Sequence, residues 1–238
     1  MKEEVKVTKR PGGELSSRPL YCILILDVSE SMANDGKIQS LNYAIHEAIP
    51  AMKEEAAKNC EAQMLILVIT FSTGAQWHIS QPVRVEDFKW EDVSAGGVTD
   101  MGKALKMVAD QLKTPPMPER AIPPVLVLIS DGQPTDDFGS GLKALMEQRW
   151  GKKSVRVAIA MGHDANLDVL QKFIGHPEIK PLQANNPGAL AGYIKWATTA
   201  VITSTINPPS QPNGPDPKID PIVPPLPPDD PAPNDDVW

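Results

Sequence analysis

The stretch Leu20–Ser31, LYCILILDVSES, decides the reading of this chain. Its apolar run stops abruptly at Asp27, and Ser29 and Ser31 follow at alternate positions. A continuous apolar run this short predicts a strand buried on both faces, as in the middle of a parallel sheet. Such strands carry ligand sites just beyond their carboxyl ends. Asp27, Ser29 and Ser31 fall there, spaced so that one loop can turn three oxygens toward a single point. Hard oxygen donors suit magnesium, manganese or calcium rather than zinc or copper.

Two further pieces match. A second apolar run, PPVLVLISDG, ends at Asp131, and between the two SAGGVTDMGKAL puts Thr99 in a glycine-rich loop before a helix. Asp-x-Ser-x-Ser, a loop threonine after glycines and a strand-terminal aspartate together resemble the metal-ion-dependent adhesion site (MIDAS) of von Willebrand factor A (VWA) domains. The resemblance covers roughly residues 19–205, with Asp27, Ser29, Ser31, Thr99 and Asp131 in the family's order. It implies that Ser29 and Ser31 bind a metal directly, and that Thr99 and the two aspartates bind directly or through water. Mg²⁺ is the expected ion, with Mn²⁺ or Ca²⁺ as alternatives. Neutral hydroxyl ligands leave the ion much of its charge, and in the family a Glu or Asp of a protein partner completes the coordination. The site then docks rather than catalyses. Glu30 departs from the glycine that VWA domains commonly carry between the two serines. Its carboxylate either faces solvent or fills the open coordination position.

The run DGQPTDDF after the second strand, with ITFS, resembles the TerY branch of VWA proteins, associated with tellurium-resistance and stress gene clusters. That resemblance implies an adaptor in a bacterial stress-signalling system, with protein kinases or phosphatases as partners. Thr135, Asp136 and Asp137 have two readings. They cap the following helix, with acidic groups at its positive end, or with Glu30 and Trp238 they form a partner-binding rim.

Composition bounds the rest. The chain has 238 residues, 41% hydrophobic and 22% charged, with a net charge of −7. That balance argues against a phosphate-binding, and hence a nucleic-acid-binding, surface. No apolar run is long enough to span a membrane. The charged start, MKEEVKVTKRPGGELSSRP, lacks the apolar centre of a secretory signal. Cys22 and Cys60 are too few for a disulfide framework. A buried free thiol at Cys22 is expected, a Cys22–Cys60 bridge being the alternative. These features point to a cytoplasmic protein, expected as a monomer.

Along the chain, residues 1–18 form a polar arm. Asn34-Asp35-Gly36 signals a turn. Ile38, Leu41, Ala44, Ile45, Ala48 and Met52 predict a helix over 37–58, kinked or divided at Pro50. A buried strand is expected over 63–71 and an antiparallel edge strand over 76–85, with Phe88 and Trp90 packing a loop back on the domain. Helices follow over 101–113, 142–149, 167–174 and 188–203, and strands over 155–161 and 179–182. Strands alternating with helices predict a three-layer α/β/α sandwich with a mostly parallel central sheet.

The composition shifts at Asn207, so residues 206–238 are read as a tail. Twelve of the thirty-two residues from Asn207 onward are proline, and six aspartates against Lys218 give that stretch −5 of the total charge. Such a segment is expected to be extended and disordered. It is a spacer, or a peptide docked through PIVPPLPP or the terminal Trp238.

An enzyme and an exported adhesion protein are the alternatives. A strand-terminal Asp27 suggests Mg-dependent phosphoryl transfer through an aspartyl intermediate. Ser29 stands where the second aspartate would be needed, and no GxxxxGK[ST] loop occurs. His46, His78, His163 and His176 are scattered, and neither cysteine has a neighbouring histidine. The sequence therefore favours a non-enzymatic, metal-dependent protein-interaction module.

Overall fold

The computed structural model describes residues 17–59 and 62–206. Most of the polar arm, Cys60, the proline-rich tail and Trp238 lie outside the described residues. The elements run β1 (Arg18–Asp27), a 3-10 turn (Glu30–Gly36), α1 (Lys37–Lys58), β2 (Ala62–Ser72), β3 (Gly74–Arg84), α2 (Met101–Gln111), β4 (Ile122–Ser130), α3 (Phe138–Glu147), α4 (Arg149–Lys153), β5 (Val155–Met161), α5 (Leu167–Ile174), β6 (Leu182–Ala184), α6 (Pro187–Thr198) and α7 (Ala200–Ile206).

The six strands order as β3-β2-β1-β4-β5-β6. β2, β1, β4, β5 and β6 are parallel, and β3 closes one edge antiparallel to β2. The chain moves outward from β1 in one direction and from β4 in the other. The seam between them is the point where strand order reverses, which in open α/β sheets opens a crevice at the strands' carboxyl ends.

Alternation along β1 builds two cores. Leu20, Cys22, Leu24 and Leu26 face a cluster containing Leu41 and Ile45 of α1 and Leu190 and Ile194 of α6. Tyr21, Ile23 and Ile25 face the opposite cluster, with Leu105 and Val108 of α2, Leu145 of α3 and Leu170 of α5. β1 is apolar throughout because both its faces are covered. The three-layer α/β sandwich read from the sequence is the observed one. Phe88 and Trp90 pack inward as expected. No helix among the described residues is long and apolar enough to cross a membrane.

Several boundaries differ. Arg18, assigned to the arm, belongs to β1, and its guanidinium donates to the Arg120 and Ala121 carbonyls. α1 runs through Pro50 as one helix. Pro50 lies on the exposed face, where water can satisfy the freed carbonyl, while Ile45, Ala48 and Met52 stay packed. α3 begins at Phe138, not Leu142, because Asp137 accepts from Ser140 N and caps it there. The last strand lies at Leu182–Ala184, later than expected. The closing helix is two helices broken at Thr199. Thr198 and Thr199 Oγ1 donate to the Ile194 and Lys195 carbonyls at 2.7 Å, a back-bonding that bends helices. Cys22 is a buried free thiol whose pKa burial pushes up to about 12; the alternative bridge to Cys60 falls outside the described residues.

Candidate functional site

Three loops meet at the carboxyl ends of β1 and β4. The loop after β1 is held against the glycine-rich loop by Gly96 N to Val28 O (2.8 Å) and Glu30 N to Gly97 O (3.0 Å). The glycine-rich loop is held against the loop after β4 by Thr135 N to Thr99 O at 2.9 Å and by Thr99 N to Thr135 Oγ1 at 3.0 Å. Backbone N–H groups, paired with backbone carbonyls and the Thr135 hydroxyl, therefore bring the loops of Asp27–Ser31, Thr99 and Asp131 together. Asp27, Ser29, Thr99 and Asp131 are all buried, Ser31 is half-buried, and Glu30 is exposed.

Asp27 is the charge at the centre. Its Oδ1 accepts from Ser29 N at 2.9 Å, and its Oδ2 accepts from Ser130 Oγ at 2.6 Å. Burial pushes its carboxyl up to about 6; the hydrogen bonds from Ser130 and Ser29 pull it down, and nearby Asp131 adds a smaller upward push. Ser29 and Ser31 Oγ stand 3.0 Å apart. Asp131 Oδ1 accepts from Gln133 N at 3.3 Å, and its backbone carbonyl accepts from Asn166 N at 2.7 Å. Among the described residues no three His, Cys, Asp or Glu side chains gather as a cation site. The oxygens here are two carboxylates and several neutral hydroxyls, a set with hard-cation chemistry.

Thr135, Asp136 and Asp137 do not act together. Asp137 caps α3, as expected of the run. Asp136 instead accepts from Gly102 N and Lys103 N, both at 2.8 Å, at the start of α2. Thr135 pairs with Thr99, so the single-helix capping role is corrected for these two. The sequence reading also missed Ser130, Asp100 and Lys37. Ser130 was legible only as the last residue of an apolar strand. Asp100 Oδ2 accepts from Gly74 N (2.7 Å) and Lys103 Nζ (2.6 Å), and Lys103 holds its carboxyl below the usual range. Buried Lys37 Nζ reaches Asp164 Oδ1 at 3.1 Å and ties the start of α1 to the loop after β5. The histidines stay apart: His46 contacts Asp92 and His78 packs on Trp90.

The fold is a three-layer α/β sandwich like that of von Willebrand factor A domains. Residues 22–133 match the family model of the von Willebrand factor type A domain, and VWA domains commonly serve as protein-interaction modules. No curated protein matches the chain. Solved structures that it resembles include a von Willebrand factor type A protein from Catenulispora acidiphila, 17% identical, covering 77% of this chain and 42% of that one, with a TM-score of 0.59. The ArnB paralog VWA2 from Sulfolobus acidocaldarius is 19% identical over 75% of this chain and 45% of its own, with a TM-score of 0.56. The pilus adhesin SpaC from Lactobacillus rhamnosus GG is 11% identical over 77% of this chain and 30% of its own, with a TM-score of 0.61. The chain thus spans less than half the length of these proteins, and at such identities the likeness is one of fold.

Proposed function

We propose that this chain is a non-enzymatic protein-interaction module whose docking point is a divalent cation held by Asp27, Ser29, Ser31, Thr99 and Asp131. The observation that carries this reading is the pair of hydroxyls of Ser29 and Ser31, 3.0 Å apart beside a buried carboxylate. Adjacent ligands of an octahedral Mg²⁺ at about 2.0–2.1 Å stand roughly 2.8–3.0 Å apart, so the pair has the span that two direct ligands need. The residues fit such an ion: hydroxyls from Ser29, Ser31 and Thr99, and charge from Asp27 and Asp131. Bound there, Mg²⁺, or Mn²⁺ or Ca²⁺ in its place, supplies positive charge that neutral hydroxyls do not cancel, and so a seat for a partner's carboxylate. The chain's own part is to fix those oxygens. Ser130 and Ser29 N orient the Asp27 carboxylate, and Thr135 orients Thr99. Exposed Glu30 leaves the seat to a partner residue.

The partner is a protein presenting a Glu or Asp side chain. The TerY-like run DGQPTDDF supports a place in a cytoplasmic stress system of the tellurium-resistance type, with a protein kinase or phosphatase as that partner. Calorimetry with Mg²⁺ or Mn²⁺ tests the first half: binding by the wild type, lost in Ser29→Ala and Asp27→Ala with folding retained, is expected. Partner binding that vanishes with EDTA and in Thr99→Ala tests the second. Full partner affinity after chelation overturns the metal face as the docking point. Phosphoester hydrolysis by pure protein, lost in Asp27→Asn, overturns the non-enzymatic reading.

A further inference from the structure

Asp100 stands at the N-cap of α2, yet its carboxylate caps nothing there. It is turned away to Gly74 N and Lys103 Nζ. The first turn of α2 is capped from another loop: Asp136 Oδ1 takes Gly102 N and Oδ2 takes Lys103 N, both at 2.8 Å. Beside it, Thr135 grips Thr99 from both sides, through Thr99 N to Thr135 Oγ1 and Thr135 N to Thr99 O. The starts of α2 and α3 also touch at glycines. A Cβ on Gly102 would collide with the Asp137 carbonyl, and one on Gly141 with the Gly102 carbonyl. The segment carrying Thr99 and the segment carrying Asp131 are therefore one body, joined by four hydrogen bonds and a backbone contact too close for any side chain.

We propose that Asp136 is a positioning residue for the cation site, holding Thr99 in register with Asp131 by capping α2 across the loops; this rests on the cation reading above. Asp136 is half-buried and both its oxygens are engaged by backbone N–H groups, which sets it apart from a partner-contact residue. A carboxylate at a helix N-terminus satisfies two orphan donors and meets the positive end of the helix. Without it, the first turn of α2 loosens one residue beyond Asp100, and the Thr99 hydroxyl loses its fixed place.

The test is calorimetry of the full chain with MgCl₂, with melting measured in EDTA alongside. The variants are Asp136→Ala, Asp136→Asn and Thr135→Val. The control is Asn186→Ala, which removes an N-cap at α6, where Asn186 accepts from Ala189 N, away from the proposed ligands. Asp136→Ala is expected to weaken Mg²⁺ binding about 10- to 100-fold, the effect of losing a ligand's outer support, with Asp136→Asn in between. Asn186→Ala is expected to lower the melting temperature and leave Mg²⁺ affinity unchanged. If Asp136→Ala does not fold, Asp136→Asn, which keeps one acceptor oxygen for the Gly102 and Lys103 N–H groups, is expected to weaken binding several-fold, as is Thr135→Val at the neighbouring contact. Wild-type affinity in Asp136→Ala, or in Asp136→Asn where the alanine variant does not fold, overturns the proposal while the cation reading stands. An equal loss in Asn186→Ala makes the effect one of general stability and overturns it too. A wild type that binds neither Mg²⁺ nor Mn²⁺ removes the cation reading, and this proposal with it.

Discussion

Ser130 Oγ donates to Asp27 Oδ2 at 2.6 Å, joining the last residue of β4 to the last residue of β1. Both side chains are fully buried. The same hydroxyl oxygen accepts from Gly132 N at 2.8 Å, so it also shapes the turn that carries Asp131. One serine thus couples Asp27 and the turn that carries Asp131, the two proposed carboxylate ligands.

Ser130→Ala removes a donor from a buried carboxylate, a loss of about 1–3 kcal/mol when the group is ionised. Urea unfolding in EDTA is expected to show a larger loss near pH 8 than near pH 5, and the Asp27 carboxyl is expected to titrate higher than in the wild type. An equal loss at both pH values would mean that Ser130 acts through Gly132 alone.

Asp27 gives the cation-free protein an unusual pH dependence. Its carboxyl rises from 3.8 to about 6 in the folded state, chiefly through burial. Between those values the folded chain holds a proton that the unfolded chain has released, so stability falls as pH rises. The contribution is complete below the unfolded value and lost as pH passes through about 6. About 1–3 kcal/mol is at stake. Urea midpoints of wild type and Asp27→Asn in EDTA isolate it: the difference between them is expected to grow from pH 4 to pH 7 in favour of Asn. Added Mg²⁺ is expected to stabilise the wild type more at pH 7 than at pH 5, because a cation favours the ionised form.

Much of this was legible in the sequence because it rests on burial on two faces. The apolar runs at Leu20–Asp27 and Val125–Asp131 gave the central strands and the aspartates at their carboxyl ends, since such runs have few other stable placements. The antiparallel β3 was legible through its weaker apolarity and the turn at Gly74. Less legible was anything that depends on which side chain reaches which distant backbone. Asp136 and Asp137 are adjacent and chemically identical, yet one caps α2 and the other α3. Asp100 sits at a helix start and does not cap it. These choices follow from loop packing some thirty residues away in sequence, which no local pattern encodes. The break at Thr199 was hidden for another reason: the apolar spacing of α6 continues into α7, and only hydroxyl competition for helix carbonyls interrupts it.

Pro50 offers a test unconnected with the cation. It lies inside α1 on the exposed face, removes one helix hydrogen bond, and carries an intrinsic cost of about 3 kcal/mol relative to Ala. Part of that cost is offset because proline also restricts the unfolded chain. Pro50→Ala is expected to stabilise the protein by about 1–2 kcal/mol in chemical denaturation, with Mg²⁺ affinity unchanged. A destabilised variant would show that α1 needs the proline's shape.

Gly97 is where the glycine-rich loop is set. Its φ is +83°, and a Cβ there would lie 2.5 Å from Thr73 Oγ1 and 3.1 Å from Thr73 N. Its carbonyl accepts from Glu30 N, and the next residue, Val98, donates to that same Thr73 Oγ1 at 3.2 Å. Gly97→Ala therefore meets two separate penalties. The left-handed backbone costs a residue with a Cβ about 1–2 kcal/mol, and the collision with Thr73 adds to it. Because Thr99 lies two residues on and Glu30 leans on the Gly97 carbonyl, relief of the collision has to shift the loops that carry Ser29, Ser31 and Thr99. The expected result is a loss of about 2–3 kcal/mol in stability together with weakened Mg²⁺ binding by calorimetry. The two penalties separate in a double mutant. Thr73→Ala removes the colliding oxygen and is expected to cost little alone, since the Val98 N–H that it releases lies at an exposed position. Combined with Gly97→Ala it is expected to restore most of the Mg²⁺ affinity and only part of the stability, because the backbone strain remains. Full recovery of both would show that the left-handed conformation carries no cost at Gly97. No recovery of affinity would show that strain in the loop, rather than contact with Thr73, displaces Thr99.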